Sequence, residues 1–235
     1  MPSSRAGSAR RDPPVLDAVL ARRGGESQAA IEVLNTRVLR QLDLFAAPTI
    51  GFDAHFSRLE RRSLAFGAWV DYQPGFVTGH DKLFDQLERS LSWRSEQRKM
   101  YERVVTTPRL LASVPRDGII EDMRNALSAR YGEELTRTTA ALYRDGNDSV
   151  AFHGDTTARE MVSALVATVS LGQPRRFLLK PTEGGASIAY QLGHGDLIVM
   201  GGTCQRTWRH GIPKVANAAG PRIALMFRPV WYADD

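Results

Sequence analysis

Val162-Ser-Ala-Leu-Val-Ala-Thr-Val-Ser-Leu171, Arg176-Phe-Leu-Leu-Lys180, Ser187-Ile-Ala-Tyr-Gln-Leu192, Leu197-Ile-Val-Met200, Thr207-Trp-Arg-His210 and Arg222-Ile-Ala-Leu-Met-Phe-Arg-Pro229 are short apolar runs separated by Gly, Pro and Asp. Six such runs at close spacing predict the strands of an antiparallel sandwich or barrel. Upstream the periodicity is different. Residues 118–131 and 81–91 repeat apolar positions at helical spacing, the second through Leu83, Phe84, Leu87 and Leu91, and predict helices. Residues 64–78 read as short strands broken at Gln73-Pro74-Gly75, where Pro sets one turn dihedral and Gly adopts the positive one. A further amphipathic helix is expected over 28–44. Residues 1–27, rich in Ser, Gly, Pro and Arg, read as a disordered basic arm.

Composition narrows the class. With 235 residues, 43% of them hydrophobic, the chain can bury a core. No run approaches the roughly 18 apolar residues of a membrane span, and the N-terminus lacks a signal peptide's apolar stretch. Neither secretion nor a membrane is expected. The single Cys204 excludes an intrachain disulfide framework and a multi-thiolate zinc cluster, so a reducing, cytoplasmic setting is the reading. A formal charge of +5 is a modest indication of a polyanionic partner.

Chemistry concentrates at three places. In Phe152-His153-Gly154-Asp155 the alternation of a strand sends His153 and Asp155 to the same side. His210 follows 57 residues later, far enough for intervening strands to return it beside that pair. Two imidazoles and one carboxylate form the facial set of non-haem Fe(II) oxygenases, which leaves coordination positions open for a cosubstrate and dioxygen. A second His-x-Asp, His194-Gly195-Asp196, directly precedes Leu-Ile-Val-Met and reads as a polar turn entering a strand. Arg222 and Arg228 lie six residues apart and share one strand face, while Ile223, Leu225 and Phe227 take the other. Two guanidinium groups turned inward require anions, and a dicarboxylate is one; on an edge strand they would simply face water.

These residues, in this order and spacing, resemble the AlkB-like Fe(II)/2-oxoglutarate dioxygenases. The resemblance runs from about residue 65 to 229. It includes Leu142-Tyr143-Arg144-Asp145-Gly146, Ala167-Thr168-Val169-Ser170-Leu171-Gly172 and the stretch from Gly195 to Gly202. It implies a mainly β (α+β) fold: a double-stranded β-helix, or jelly-roll, barrel with N-terminal helices and a nucleotide-recognition lid. One dioxygenase domain would cover 28–235, with the lid at about 65–115 and the core at about 136–230. By the same resemblance His153, Asp155 and His210 would hold Fe(II), and 2-oxoglutarate and O2 would be cosubstrates. Arg222 would bind the far carboxylate of 2-oxoglutarate with Tyr143 helping, and Arg228 would steady Asp155 or the near carboxylate. This chain departs from the pattern at Ala141 and Ala224, where many members carry Asn.

The resemblance also implies oxidative dealkylation of N-alkylated bases in nucleic acid, with alkylated single-stranded DNA as the partner of a monomer. Between residues 94 and 109 five basic residues face two acidic ones, beside Trp93 and interleaved with Met100 and Tyr101. Phosphate contacts plus a stacking surface suit a flipped or single-stranded base. Trp69, Tyr72, Met100, Tyr101, Arg98 and Arg109 are the candidate substrate residues. The alternatives are the same chemistry on RNA, a protein side chain or a small molecule, and a catalytically silent nucleic-acid-binding module.

Overall fold

A computed structural model of the chain describes residues 49–100, 103–155, 158, 161–216 and 220–230, without the side chains of 96–100 and 103–107. The basic arm over 1–27, the helix expected over 28–44 and Tyr101 lie outside these residues, as do the side chains of Arg98 and Met100.

The strands are β1 (Gly51–Phe52), β2 (Glu60–Ser63), β3 (Ala68–Gln73), β4 (Val77–Thr78), β5 (Arg94–Met100), β6 (Arg103–Ser113), β7 (Arg137–Tyr143), β8 (Val150–His153), β9 (Val166–Gly172), β10 (Arg175–Pro181), β11 (Ile188–Leu192), β12 (Asp196–Gly202), β13 (Trp208–Ile212) and β14 (Arg222–Arg228). Helices α1 (His80–Ser90), α2 (Gly118–Tyr131) and α3 (Cys204–Thr207) interrupt them. Each of the six apolar runs contains a strand, although residues 162–165 precede β9 and Thr207 ends α3, and the helices expected at 81–91 and 118–131 form over nearly those residues. The basic segment around 94–109 forms most of the β5–β6 pair.

Pairing is antiparallel throughout. The larger sheet has eight strands in the order β2-β3-β12-β9-β14-β7-β6-β5, the smaller has four in the order β11-β10-β13-β8, and β1 pairs with β4. This corrects the expected double-stranded β-helix barrel. Among the described residues no sheet closes on itself, and the fold is a mixed α/β arrangement of open antiparallel sheets. The eight-stranded sheet ends at β2 and β5, each with one neighbour, and the four-stranded sheet ends at β8 and β11. The β2 edge reads Glu60-Arg61-Arg62-Ser63 and is exposed along its whole length. Charged side chains at such an edge discourage further strand pairing.

Two apolar layers result from the period-two alternation. On one face of the large sheet Leu142, Val169, Leu171, Val199, Ile223, Leu225 and Phe227 pack against Leu83, Phe84 and Leu87 of α1 and Ile120, Met123 and Leu127 of α2. On the other face Ala141, Tyr143, Val166, Met200 and Ala224 meet Phe177, Leu179, Trp208 and Ile212 of the small sheet. Strand β9 lies at the centre of the large sheet and is buried at all seven positions. Its Val and Leu side chains each contribute about 1.5–3 kcal/mol of transfer free energy.

Backbone geometry sets where β14 begins. Gly172 has φ +89°, and a Cβ there would fall 2.4 Å from the Pro221 carbonyl oxygen. Only glycine lets the end of β9 pass so close to the entrance of β14, and that approach seats Arg222 opposite both Gly172 and Tyr143. Among the described residues no helix is long and apolar enough to cross a membrane.

Candidate active site

The smaller sheet brings the sequence-distant residues together. Strand β13 pairs with β8 so that His210 lies opposite His153, with ring centroids 4.3 Å apart. Asp155 follows β8 by two residues. His153, Asp155 and His210 each offer a ligand atom within 4.8 Å of the others.

The surroundings of each group decide what it can do. The Nδ1 of His153 lies 2.9 Å from the Ala151 carbonyl oxygen. A carbonyl only accepts, so assigning the proton to Nδ1 leaves the Nε2 lone pair for a metal. Burial, reinforced by the charges of His153 and Arg109, holds His210 well below the ordinary imidazole value and keeps it neutral, the ligating form. Phe177 stacks on its ring at 5.6 Å. The Asp155 backbone N–H donates to the Gln205 side-chain oxygen at 3.1 Å, and Arg228 Nη1 stands 3.7 Å from Asp155 Oδ2. One carboxylate and two neutral imidazoles suit a first-row divalent cation such as Fe(II).

These groups line one cavity of about 840 Å³ between the sheets. Arg222, Ala224, Met226 and Arg228 project into it from β14, while Ile223, Leu225 and Phe227 face the helices, as the alternation predicts. Arg222 is 1% exposed. Its Nε donates to Ser170 Oγ at 2.9 Å, its guanidinium lies 5.2 Å from the centre of the Tyr143 ring, and its buried Nη1 has no hydrogen-bond partner. Burial lowers its pKa to about 10, so it remains charged near neutrality. A buried cation with an idle donor fits an incoming carboxylate, and 2-oxoglutarate carries one at its far end.

The candidate substrate residues divide. Arg109, on β6, is buried, lines the cavity and donates from Nη1 to the Tyr143 hydroxyl at 3.1 Å. Trp69 does not reach the cavity. It lies on the helix side of β3, stacked on Tyr131 at 5.7 Å and covered by the Arg61 guanidinium at 3.9 Å. The approach is so close that a Cβ on Gly201 would fall 1.9 Å from the indole. Tyr72 faces the other layer, but its hydroxyl donates to Asp196 at 2.7 Å and its ring meets Tyr190. Cys204 is buried beside these residues, and burial pushes its thiol up to about 12.

Three supporting residues had no sequence signal. Gln205 and Ser170 are short-range polar partners whose role exists only once α3 and β9 are placed. Arg175 is 3% exposed and donates to the carbonyls of Asp145, Asp148 and Pro213, tying the loop after Tyr143 to the loop after β13.

A second group, His80, Asp81 and His194, also places ligand atoms within 4.8 Å of one another. Its hydrogen bonds run the other way. The Gly172 N–H donates to His194 Nδ1 at 3.0 Å, so the ring proton resides on Nε2, which faces Asp81 Oδ1 at 3.0 Å. A metal on Nε2 would force that proton onto Nδ1, against an amide N–H. His194 instead fastens the end of β9 to the start of α1.

A cavity lined by two histidines, an aspartate and inward guanidinium groups defines a metal-dependent oxygenase that uses an anionic cosubstrate. The 2OG-Fe(II) oxygenase superfamily model matches residues 60–228, and the chain belongs to that superfamily. Within that superfamily the curated relatives it resembles are AlkB homologues. It is 28% identical over 185 residues to Alpha-ketoglutarate-dependent dioxygenase alkB homolog 3 of Bos taurus, covering 67% of this chain and 65% of that protein. It is 26% identical over 191 residues to DNA oxidative demethylase ALKBH2 of Arabidopsis thaliana, covering 63% and 61%. The chain thus spans less than two thirds of the length of these curated relatives. Among solved structures, a prolyl hydroxylase from Trichoplax adhaerens, in complex with a hypoxia inducible factor oxygen degradation domain peptide fragment, shares the fold. Its TM-score is 0.51 at 11% identity, covering 68% of this chain and 82% of that one.

Proposed function

We propose that the chain oxidatively dealkylates N-alkylated bases in nucleic acid. His153, Asp155 and His210 are the iron ligands in this reading, Arg222 and Tyr143 receive the far carboxylate of 2-oxoglutarate, and Arg228 holds Asp155 in place. The observation that carries it is the meeting, in one cavity, of a two-histidine, one-aspartate set with a buried guanidinium that has an idle donor. Iron, 2-oxoglutarate and O2 would supply the oxidising power: 2-oxoglutarate would lose CO2, one oxygen atom would enter the succinate formed and the other a substrate C–H bond. The chain's own residues orient and exclude. Phe177, Met200, Val166 and Ile212 give the cavity an apolar wall that keeps water from the reacting carbon. An N–CH2OH product releases formaldehyde and restores the N–H of the base.

Nucleic acid is the substrate class because one relative is named a DNA oxidative demethylase and because Arg94 and Arg137 add positive charge to the cavity wall. A stacked duplex shields the target carbon, so the base would be flipped or single-stranded. One observation favours a second reading, the same chemistry on RNA, a protein side chain or a small molecule: Trp69 and Tyr72 are engaged inside the fold and do not line the cavity.

Aerobic turnover with Fe(II), 2-oxoglutarate and a single-stranded DNA or RNA oligonucleotide carrying 1-methyladenine or 3-methylcytosine tests the proposal. Equal succinate and formaldehyde, both absent in His210→Ala, are expected with DNA. Succinate without formaldehyde on either oligonucleotide would overturn the nucleic-acid reading and leave the iron chemistry standing.

A further inference from the structure

Arg109 has no role in the iron set, yet it is among the most deeply placed charges of the cavity. It is 9% exposed, its Nη1 is committed to the Tyr143 hydroxyl, and its buried Nε has no hydrogen-bond partner. Arg222 reaches the same tyrosine from the opposite side, lying over its ring at 5.2 Å with Nη1 idle. Two guanidinium groups therefore converge on one phenol, and the charge of Arg109 disfavours that of Arg222. The cavity's carboxylate, Asp155, faces Arg228 and not either of these two. Ala141 and Ala224, directly opposite each other across β7 and β14, carry no side-chain donor or acceptor. A buried like-charge pair with idle donors is costly until an anion lies between its members.

We infer that Arg109 is a cosubstrate-binding residue: with Arg222 and the Tyr143 hydroxyl it grips the far carboxylate of 2-oxoglutarate. The two carboxylate oxygens have about four lone-pair sites, enough for donors from both guanidinium groups and the phenol. The donors that positions 141 and 224 do not supply come from β6 instead. This inference rests on the proposed placement of 2-oxoglutarate at Arg222, and it assigns Arg109 to the cosubstrate and not to a nucleic-acid phosphate.

The test is calorimetric binding to the Mn(II)-loaded full chain, with no oligonucleotide present. The ligands are 2-oxoglutarate and 2-oxopentanoate, which keeps the chelating 2-oxo acid and replaces the far carboxylate by a methyl group. Arg109→Met is expected to weaken 2-oxoglutarate roughly 10- to 100-fold, with Arg109→Lys in between, and to leave 2-oxopentanoate within about twofold of wild type. Equal losses for both ligands, or no loss for 2-oxoglutarate, would overturn the inference. Arg109→Lys carries the test if the Met variant does not fold, as thermal unfolding without ligand will show. Arg222→Met separates the two levels. If it leaves 2-oxoglutarate binding unchanged, the placement of the cosubstrate fails; if it abolishes binding while Arg109→Met has no effect, only the role of Arg109 fails.

Discussion

His153-Asp155-His210 and His80-Asp81-His194 have the same composition and similar spacing between ligand atoms, and they differ in where the ring protons go. In the first, His153 Nδ1 faces a carbonyl oxygen, which assigns the ring proton to Nδ1 and the lone pair to the opposite nitrogen. In the second, His194 Nδ1 faces an amide N–H and the opposite nitrogen must keep its proton for Asp81. A metal centre and a structural fastener can thus be built from identical residues. The neighbouring backbone group, donor or acceptor, determines which one forms. The first cluster also opens on a cavity with idle guanidinium donors, whereas the second ties β9 to α1.

The sharpest way to break this contrast is to remove one ligand from each cluster. His210→Ala is expected to lower Mn(II) affinity by more than about 100-fold, beyond the loss from an outer-shell change, and to abolish succinate formation. His194→Ala should leave both intact. Equal losses of metal from the two variants would erase the distinction. Gln205→Ala, which frees the Asp155 backbone N–H, is expected to weaken Mn(II) roughly tenfold, since it removes support and no ligand. Calorimetric titration measures both effects.

Stability should respond in the reverse sense. His194→Ala leaves the Gly172 N–H without its acceptor and Asp81 with only the longer contact to His80, and is expected to cost about 1–3 kcal/mol in denaturant unfolding of the metal-free chain. The same His194→Ala variant should keep the wild-type affinity for 2-oxoglutarate. A pH titration sharpens the first cluster. The folded-state pKa of His210 is depressed, so below the ordinary imidazole value of 6.5 the unfolded chain binds a proton that the native chain refuses. Stability of the metal-free protein is therefore expected to fall as pH drops below that value, by at most about 1.4 kcal/mol per pH unit from this group. His210→Asn should flatten that slope; an unchanged slope would count against a neutral buried His210. His80→Ala is the smallest expected change, about 1 kcal/mol or less, because its Nδ1 makes no hydrogen bond and it gives up only a 3.7 Å contact with Asp81 and a ring contact with His194.

Much of this architecture was legible residue by residue. The alternation in Arg222-Ile-Ala-Leu-Met-Phe-Arg228 divides cavity from helix layer as expected, because a strand's side chains alternate whatever sheet it joins. Helices α1 and α2 follow their apolar periodicity for a similar local reason. His194 was also read as structural, and its hydrogen bonds agree. What failed was closure. Strand patterning reports which face is buried, and it is silent on whether the outermost strands find partners; here β2 and β5 do not pair with each other. The aromatic residues Trp69 and Tyr72 show the same limit, since indole and phenol rings pack into a core as readily as they stack on a base.

The sequence by itself determined the identity and order of His153, Asp155, His210, Arg222 and Arg228, because chemistry depends on residue type and strand period is local. Only the tertiary structure decided which histidine turns Nδ1 to a carbonyl and which to an amide N–H, which arginines are left with idle donors, and which aromatics are already engaged. Each of those outcomes depends on a hydrogen-bond partner or a packing neighbour from a distant strand. Near the end of β9, for instance, Ser170 accepts from Arg222 and the Gly172 amide two residues on donates to His194, and no local pattern reveals either contact.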